Sequence, residues 1–274
     1  MRSSQPIIQV KNLCTHYGRK QILSDVSLQL CRGEIMAIMG GSGSGKSTLL
    51  QNLLGLQKPT SGTIELLGSD ITRMSENQLH KMKKNIGVAF QGGALFGSMS
   101  VAENIQLPLK EHTRLDQSTM DIMSQMKLEV VNLAGFGDLM PSQLSGGMIK
   151  RAALARAIIL DPALLFFDEP SAGLDPVVSA ELDELILRLR DAMNMSIVVV
   201  THELESAFKI ADKIAILDRG EILLCATVDE VRNSKHQRIY NLLHRQPRTD
   251  AVDVEEYLQR LTGKSLTLDA DEKR

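Results

Sequence analysis

Apolar positions along the chain fall into three textures. Near the start they alternate: Ile7-Ile8-Gln9-Val10 and Val26-Ser27-Leu28-Gln29-Leu30 set every second side chain on one face, which predicts strands, with Arg32-Gly33-Glu34 as a turn. Elsewhere they run together over four to six positions. Ile35–Met39, Ile86–Phe90 and Ser196–Thr201 predict further strands, and Ala163–Phe167 a central parallel one. Thr63–Leu67 and residues 213–218 and 221–225 add three more, the last two joined by a turn at Arg219-Gly220. The third texture is helical. It covers Leu49–Leu54, residues 117–134 and 147–160, and residues 178–193, where Leu182, Leu185, Ile186 and Leu189 share an inward face. Between about residues 100 and 160 there is almost no strand signal, which predicts a helical subdomain inserted into an α/β core at about residues 95–160.

Composition narrows the class. A chain of 274 residues that is 43% hydrophobic can bury one large core, or a domain with a subdomain. Its apolar runs stop well short of the roughly 18 residues of a membrane span, and Met-Arg-Ser-Ser is not a secretory start. A soluble protein is expected. Cys14, Cys31 and Cys225 have no metal-site or disulfide spacing, which fits a reducing cytoplasm. A net charge of −2 leaves no basic footprint for nucleic acid.

The chemistry centres on Gly40-Gly41-Ser42-Gly43-Ser44-Gly45-Lys46-Ser47-Thr48. This is the phosphate-binding pattern G-x-x-x-x-G-K-[ST], and it stands between an apolar strand and a helix, as the motif requires. Glycines let successive N–H groups converge on an anion, and the helix adds the positive end of its dipole. Lys46 is expected to reach the β- and γ-phosphates, Ser47 to ligate Mg²⁺ and Thr48 to hydrogen-bond nearby. The apolar run through Phe167 then ends in Asp168-Glu169, the Walker B arrangement. There Asp168 is expected to hold Mg²⁺ and Glu169 to orient or deprotonate the attacking water.

Four other places read two ways. Tyr17 suits stacking on a base or packing at a strand end. Gln91, at a strand exit, suits an amide ligand to Mg²⁺ or water, or an ordinary loop residue. Ser145 with Gly146-Gly147 suits a second anion site or a plain capped helix. His202 ends a buried strand at the edge where α/β sheets bind ligands, or is a capped surface residue.

Taken in order, Tyr17, Gly40–Thr48, Gln91, Leu144–Met148, Asp168-Glu169, Ser171–Asp175 and His202 resemble the A-loop, Walker A, Q-loop, signature, Walker B, D-loop and switch histidine of the ATP-binding-cassette (ABC) ATPases. The resemblance covers about residues 7–230. It implies a P-loop NTPase (RecA-like) α/β core with an N-terminal antiparallel β subdomain and the inserted helical subdomain, in a cassette of about residues 7–235. It also implies roles: Tyr17 stacks on adenine, His202 contacts the γ-phosphate, and Gln91 links Mg²⁺ and water to a membrane permease. Ser145 and Gly147 serve the γ-phosphate of a second copy in a head-to-tail dimer. Met148 stands where the family usually has Gln, and Gly41 where its Walker A usually has Pro. The serine and glycine amides remain, so neither departure implies inactivity.

Gly92–Phe96, Asn104, Leu107–Thr113, Met140-Pro141-Ser142 and Met148 resemble one branch, the lipid-transport ATPases of the Mla type. That likeness implies ATP hydrolysis, with Mg²⁺, coupled to phospholipid movement between bacterial membranes. The partners it implies are a permease and, through it, a periplasmic lipid-binding (MCE) protein, with the ATPase peripheral on the cytoplasmic face of the inner membrane. A small-solute importer subunit is the alternative, and a cassette acting on nucleic acid a more distant one. Two stretches carry separate expectations. Leu95, Phe96, Met99 and Val101 are expected to form an apolar cluster that lines the groove receiving a permease helix, or else to pack inside the helical subdomain. Residues 236–274 are expected to form an extension whose helix, capped by Asp253 and carrying Val254, Tyr257, Leu258 and Leu261, docks on a second copy or an accessory cytoplasmic subunit, or else lies on its own core or stays disordered.

Overall fold

Two sheets separate the two strand textures in the computed structural model, which describes residues 5–244 and 246. The alternating start forms β1 (Pro6–Tyr17) and β2 (Lys20–Cys31), an antiparallel pair. Both strands run past the alternating stretches because the pairing continues through bulges. Asn12 and Asp25, with φ of 48° and 50°, sit at these irregularities, and the Asn12 amide donates to the Asp25 carboxylate at 2.6 Å. Asn and Asp tolerate this left-handed backbone best among residues with a side chain.

The chain then gives β3 (Ile35–Met39), α1 (Lys46–Leu53), β4 (Ser61–Leu66), β5 (Ser69–Asp70), α2 (Glu76–Lys83) and β6 (Ile86–Ala89). The helical part follows as α3 (Val101–His112), α4 (Gln117–Val130), a 3-10 turn at Pro141–Gln143 and α5 (Gly146–Ala157). It closes with β7 (Leu164–Asp168), α6 (Pro176–Met193), β8 (Ser196–Thr201), α7 (Leu204–Ile210), β9 (Lys213–Asp218), β10 (Glu221–Thr227), α8 (Val228–Arg232) and α9 (Gln237–Leu243).

The small sheet has the order β2-β1-β4-β5 and is antiparallel. The large one has the order β10-β9-β3-β8-β7-β6, parallel except for β10 at its edge. Every residue of β3 and β8 is buried, because layers cover both faces. Met36, Ile38, Leu164, Phe166, Val198 and Val200 face α1 and the antiparallel sheet. Ile35, Leu165, Phe167, Ile197 and Val199 face α5, α6 and the helical part. Burying one such side chain contributes about 1.5–3 kcal/mol. Phe166 and Phe167, pointing opposite ways, therefore fix β7 between the two layers.

One expectation changes. Val101 is fully buried at the first turn of α3, and Leu95 packs on the same core, so the exposed apolar cluster shrinks to Phe96, which is 52% exposed, with Met99 half-buried. The first turn is responsible: Ser100 and Glu103 form a capping box that turns Val101 inward. The short helices α2 and α7–α9 were not in the sequence pattern. Of the C-terminal extension, α9 packs Ile239 into a third cluster with Met39, Ala207 and Val231, while the expected helix after Asp253 lies outside the described residues.

Candidate functional site

The turn from β3 into α1 takes its shape from glycines that cannot be replaced without strain. A Cβ at Gly40 would lie 2.2 Å from the Leu217 carbonyl oxygen, while Gly43 and Gly45 have φ of +73° and +107°. The loop thus folds tightly back before Lys46 opens the helix. The Lys46 ammonium donates to the carbonyls of Gly40 at 2.8 Å and Gly41 at 3.1 Å. Burial lowers its pKa, and Glu169 and Asp168 oppose that shift. Burial, and then Glu169, raises the Asp168 pKa, while Lys46 pulls it down. Both shifts place the ammonium and the two carboxylates in one poorly solvated site. Ser44 is 2% exposed and its Oγ has no hydrogen-bond partner in the fold, which leaves a buried donor beside the loop for an anionic ligand. That cradle fits a polyphosphate.

Asp168 ends β7, and Glu169 follows with φ of 48°, a left-handed turn that costs a side chain about 1–2 kcal/mol. Its N–H donates to Val200 at 2.8 Å, and its Oε2 lies 2.8 Å from Nδ1 of His202. The neighbouring strands β3, β8 and β7 thereby bring the phosphate loop, His202 and the Asp168-Glu169 pair to one edge, their carboxyl ends. A Mg²⁺ set of Ser47, Asp168 and Gln91 contains one carboxylate. That is the donor chemistry of an ion that arrives with phosphate oxygens, rather than of a cage made only of protein. Among the described residues no group of three His, Cys, Asp or Glu forms such a cage.

The other expected residues stand further out. Tyr17 ends β1, half-exposed, with its hydroxyl 3.0 Å from Oε1 of Gln51 in α1. Its ring therefore stands beside the helix that the phosphate loop starts. Gln91 is exposed two residues beyond β6. Ser145 caps α5 by accepting from the Met148 N–H at 3.3 Å, with Gly146 and Gly147 opening the helix. The core contacts of α5 and of α1 are on opposite faces of the large sheet. One chain gathers Lys46, Asp168, Glu169 and His202 but sets Ser145–Gly147 in a different layer.

Three residues that hold the loops around this site belong to none of the seven catalytic motifs. Asn104, fully buried, accepts from the Phe96 N–H at 2.8 Å and donates to the carbonyls of Phe96, Met99 and Ser100. Arg156 donates to the carbonyls of Gly93 and Ala94, at 2.9 and 2.8 Å. Lys150 reaches the turn after Glu169. For Lys150 and Arg156 the only sign in the sequence is a cation on an alanine-rich helix, and for Asn104 it is the likeness to one branch.

Comparisons with known proteins agree with this geometry. The family described as ABC transporter matches residues 23–172. The intermembrane phospholipid transport system ATP-binding protein MlaF of Haemophilus influenzae is 42% identical over 240 residues, covering 88% of this chain and 91% of that one. The MlaF protein of Escherichia coli K12 is 40% identical over 237 residues, covering 86% and 88%. A probable ribonucleotide transport ATP-binding protein, mkl of Mycobacterium leprae, is 40% identical over 217 residues, covering 79% and 62%. Among solved structures, a dimeric ATP-binding cassette in a post-hydrolysis state with ADP and Pi superposes with a TM-score of 0.75 at 30% identity, covering 81% of this chain and 98% of that one. The cbiO1 protein of Clostridium perfringens, part of the transporter complex cbiONQ, gives 0.78 at 29%, covering 87% and 96%. The family match runs from β2 through the phosphate loop to the turn after Glu169, and the chain belongs to the ABC transporter family as an ATP-hydrolysing cassette.

Proposed function

We propose that this cassette drives phospholipid movement between the membranes of a bacterial envelope. The observation that carries the reading is the identity to two MlaF proteins over nearly the whole of both chains. In this reading Tyr17 stacks on adenine. The N–H groups of Gly41–Thr48 and the Lys46 ammonium hold the phosphates. Ser47, Asp168 and Gln91 hold Mg²⁺, which supplies charge neutralisation at the phosphate oxygens. Glu169 takes a proton from the attacking water, and His202 steadies the carboxylate and turns to the γ-phosphate. Ser145–Gly147, set apart from the phosphate loop of their own chain, complete the site of a second copy arranged head to tail.

The assembly this requires is a pair of cassettes on the cytoplasmic face of the inner membrane, under permease subunits and an MCE lipid-binding protein, with an accessory cytoplasmic subunit. Among the described residues no helix is long and apolar enough to cross a membrane. In this reading the permease carries the lipid path. The test is to purify the complex from its native cell, identify its subunits and lipids by mass spectrometry, and follow ATP-dependent transfer of labelled phospholipid between vesicles. Transfer that stops with Glu169→Gln supports the proposal. A co-purifying solute-binding protein with no lipid transfer selects the small-solute reading, to which the mkl likeness points.

A further inference from the structure

Lys150 stands five residues after Ser145 on α5, and its side chain crosses to the turn that follows β7. Its ammonium donates to three main-chain carbonyls there, Glu169 at 3.1 Å, Pro170 at 2.6 Å and Ala172 at 2.6 Å. A lysine ammonium has three N–H donors and no acceptor, so the turn uses all of them. Burial pushes the Lys150 pKa down and the Glu169 carboxylate pushes it up, which places the cation within electrostatic reach of the same glutamate.

Glu169 needs holding. A left-handed glutamate persists only where its surroundings over-determine it. Val200 fixes its N–H, and His202 its carboxylate. The carbonyl is the remaining group, and it accepts from Lys150 and from the Ala172 N–H at 3.3 Å. Pro170 and Ala172 have the same ammonium as a common anchor, so the whole turn is tied to one point on α5.

We propose that Lys150 is the positioning residue for Glu169, and that it makes the signature turn Ser145–Gly147 and the base parts of one rigid unit. Residues 145–150 span only about 7.5 Å of helix axis, so displacement at the start of α5 is delivered to the Glu169 backbone without loss. In the head-to-tail pair, the nucleotide that one copy's Ser145–Gly147 grips then sets the base of that same copy. The two sites are coupled through Lys150. This rests on Glu169 being the base, the reading given above.

The test compares Lys150→Met, Lys150→Arg, Glu169→Gln and the Lys150→Met/Glu169→Gln double variant in the assembled complex. Lys150→Met is expected to lower kcat by about 10- to 100-fold, the scale of a misplaced catalytic group, with KM for ATP changed by less than about twofold. Lys150→Arg restores part of the rate, since a guanidinium keeps donors for the same carbonyls. The double variant turns over no more slowly than Glu169→Gln alone, because Lys150 acts only through the base. A wild-type kcat in Lys150→Met, with Glu169→Gln inactive, overturns the positioning role and leaves the base assignment standing. A further drop in the double variant also overturns it. Wild-type turnover in Glu169→Gln sinks the base assignment itself. If Lys150→Met does not fold, Lys150→Gln replaces it: a lowered kcat with an unchanged thermal midpoint supports the proposal, and an unchanged kcat overturns it.

Discussion

His202 and Glu169, 33 residues apart in sequence, meet across the seam between β8 and β7, with Nδ1 2.8 Å from Oε2 and the His202 N–H donating to the same oxygen at 3.4 Å. The parallel register sets Asp168 opposite Val200, so both side chains leave the sheet at one edge. Their exposures differ: 58% for the histidine side chain and 13% for the glutamate. The glutamate is therefore the more enclosed partner and the histidine the more exposed one, its Nε2 lying 3.6 Å from Oε1 of Glu203.

If Glu169 is the base, as proposed above, Glu169→Gln is expected to keep ATP binding and to lower turnover by roughly 10²- to 10⁴-fold, the contribution of a general base. The amide retains the shape of the carboxylate but no longer accepts the proton of water. His202→Ala lowers turnover less, and the two changes combine to less than the product of their separate effects, because they act through one contact. Nucleotide binding by fluorescence and phosphate release by the purified complex separate these quantities. Turnover near wild type in Glu169→Gln removes the base assignment.

How much of this was legible in the sequence depended on the physics of each part. Full burial on both faces requires unbroken apolar runs, so β3, β7 and β8 were visible, and α6 was long enough for Leu182, Leu185, Ile186 and Leu189 to show a helical period. Helices α2 and α8 have eight and five residues, too few for periodicity to show. Their trace was the capping boxes, Ser75 with Gln78 and Thr227 with Glu230. The phosphate loop and the acidic pair could be expected because the chemistry of each demands particular residue types in sequence, whereas His202 read two ways until it was set in the family's order of motifs. The bonding roles of Lys150, Arg156 and Asn104 could not be read. Each bonds main-chain carbonyls, which every residue has, so their partners leave no pattern.

The Asp168 pKa is raised, chiefly by burial, so the folded chain holds that proton more tightly than the unfolded one does. Ionising Asp168 then costs stability: the cost is absent below the unfolded pKa and complete above the folded one. Asp168→Asn is expected to raise the thermal midpoint of the ligand-free chain at neutral pH, with the advantage shrinking as pH falls through the raised pKa. Thermal scans of both proteins across pH 4–8 check this. A lower midpoint at neutral pH would mean that attraction to Lys46 outweighs burial.

Asn104→Ala is expected to cost about 2–3 kcal/mol, the scale of leaving buried main-chain groups without partners. The groups stranded are the N–H of Phe96 and the carbonyl of Met99, within the segment that follows Gln91, while the Phe96 carbonyl keeps the Met99 N–H at 3.1 Å. Urea unfolding gives the stability loss. Hydrogen exchange at Phe96 gives its location, and exchange unchanged there would place the damage elsewhere in α3.

Phe96 is the residue of this segment that still offers a large apolar surface, since Val101 and Leu95 belong to the core. Its main chain is pinned by Asn104, and the nearby carbonyls of Gly93 and Ala94 by Arg156, so the ring is displayed from a rigid loop close to Gln91. An exposed ring on a rigid mount gains little by staying in water and is the anchor that protein interfaces favour. Phe96→Asp is expected to leave stability within about 0.5 kcal/mol, as surface substitutions do, because no core contact is lost. Capture of the permease with the tagged cassette, and the stimulation of ATP hydrolysis that follows assembly, should fall at least tenfold. Co-purification and ATPase assays on the same preparation measure both. Full assembly in Phe96→Asp would show that the permease seats elsewhere on the cassette.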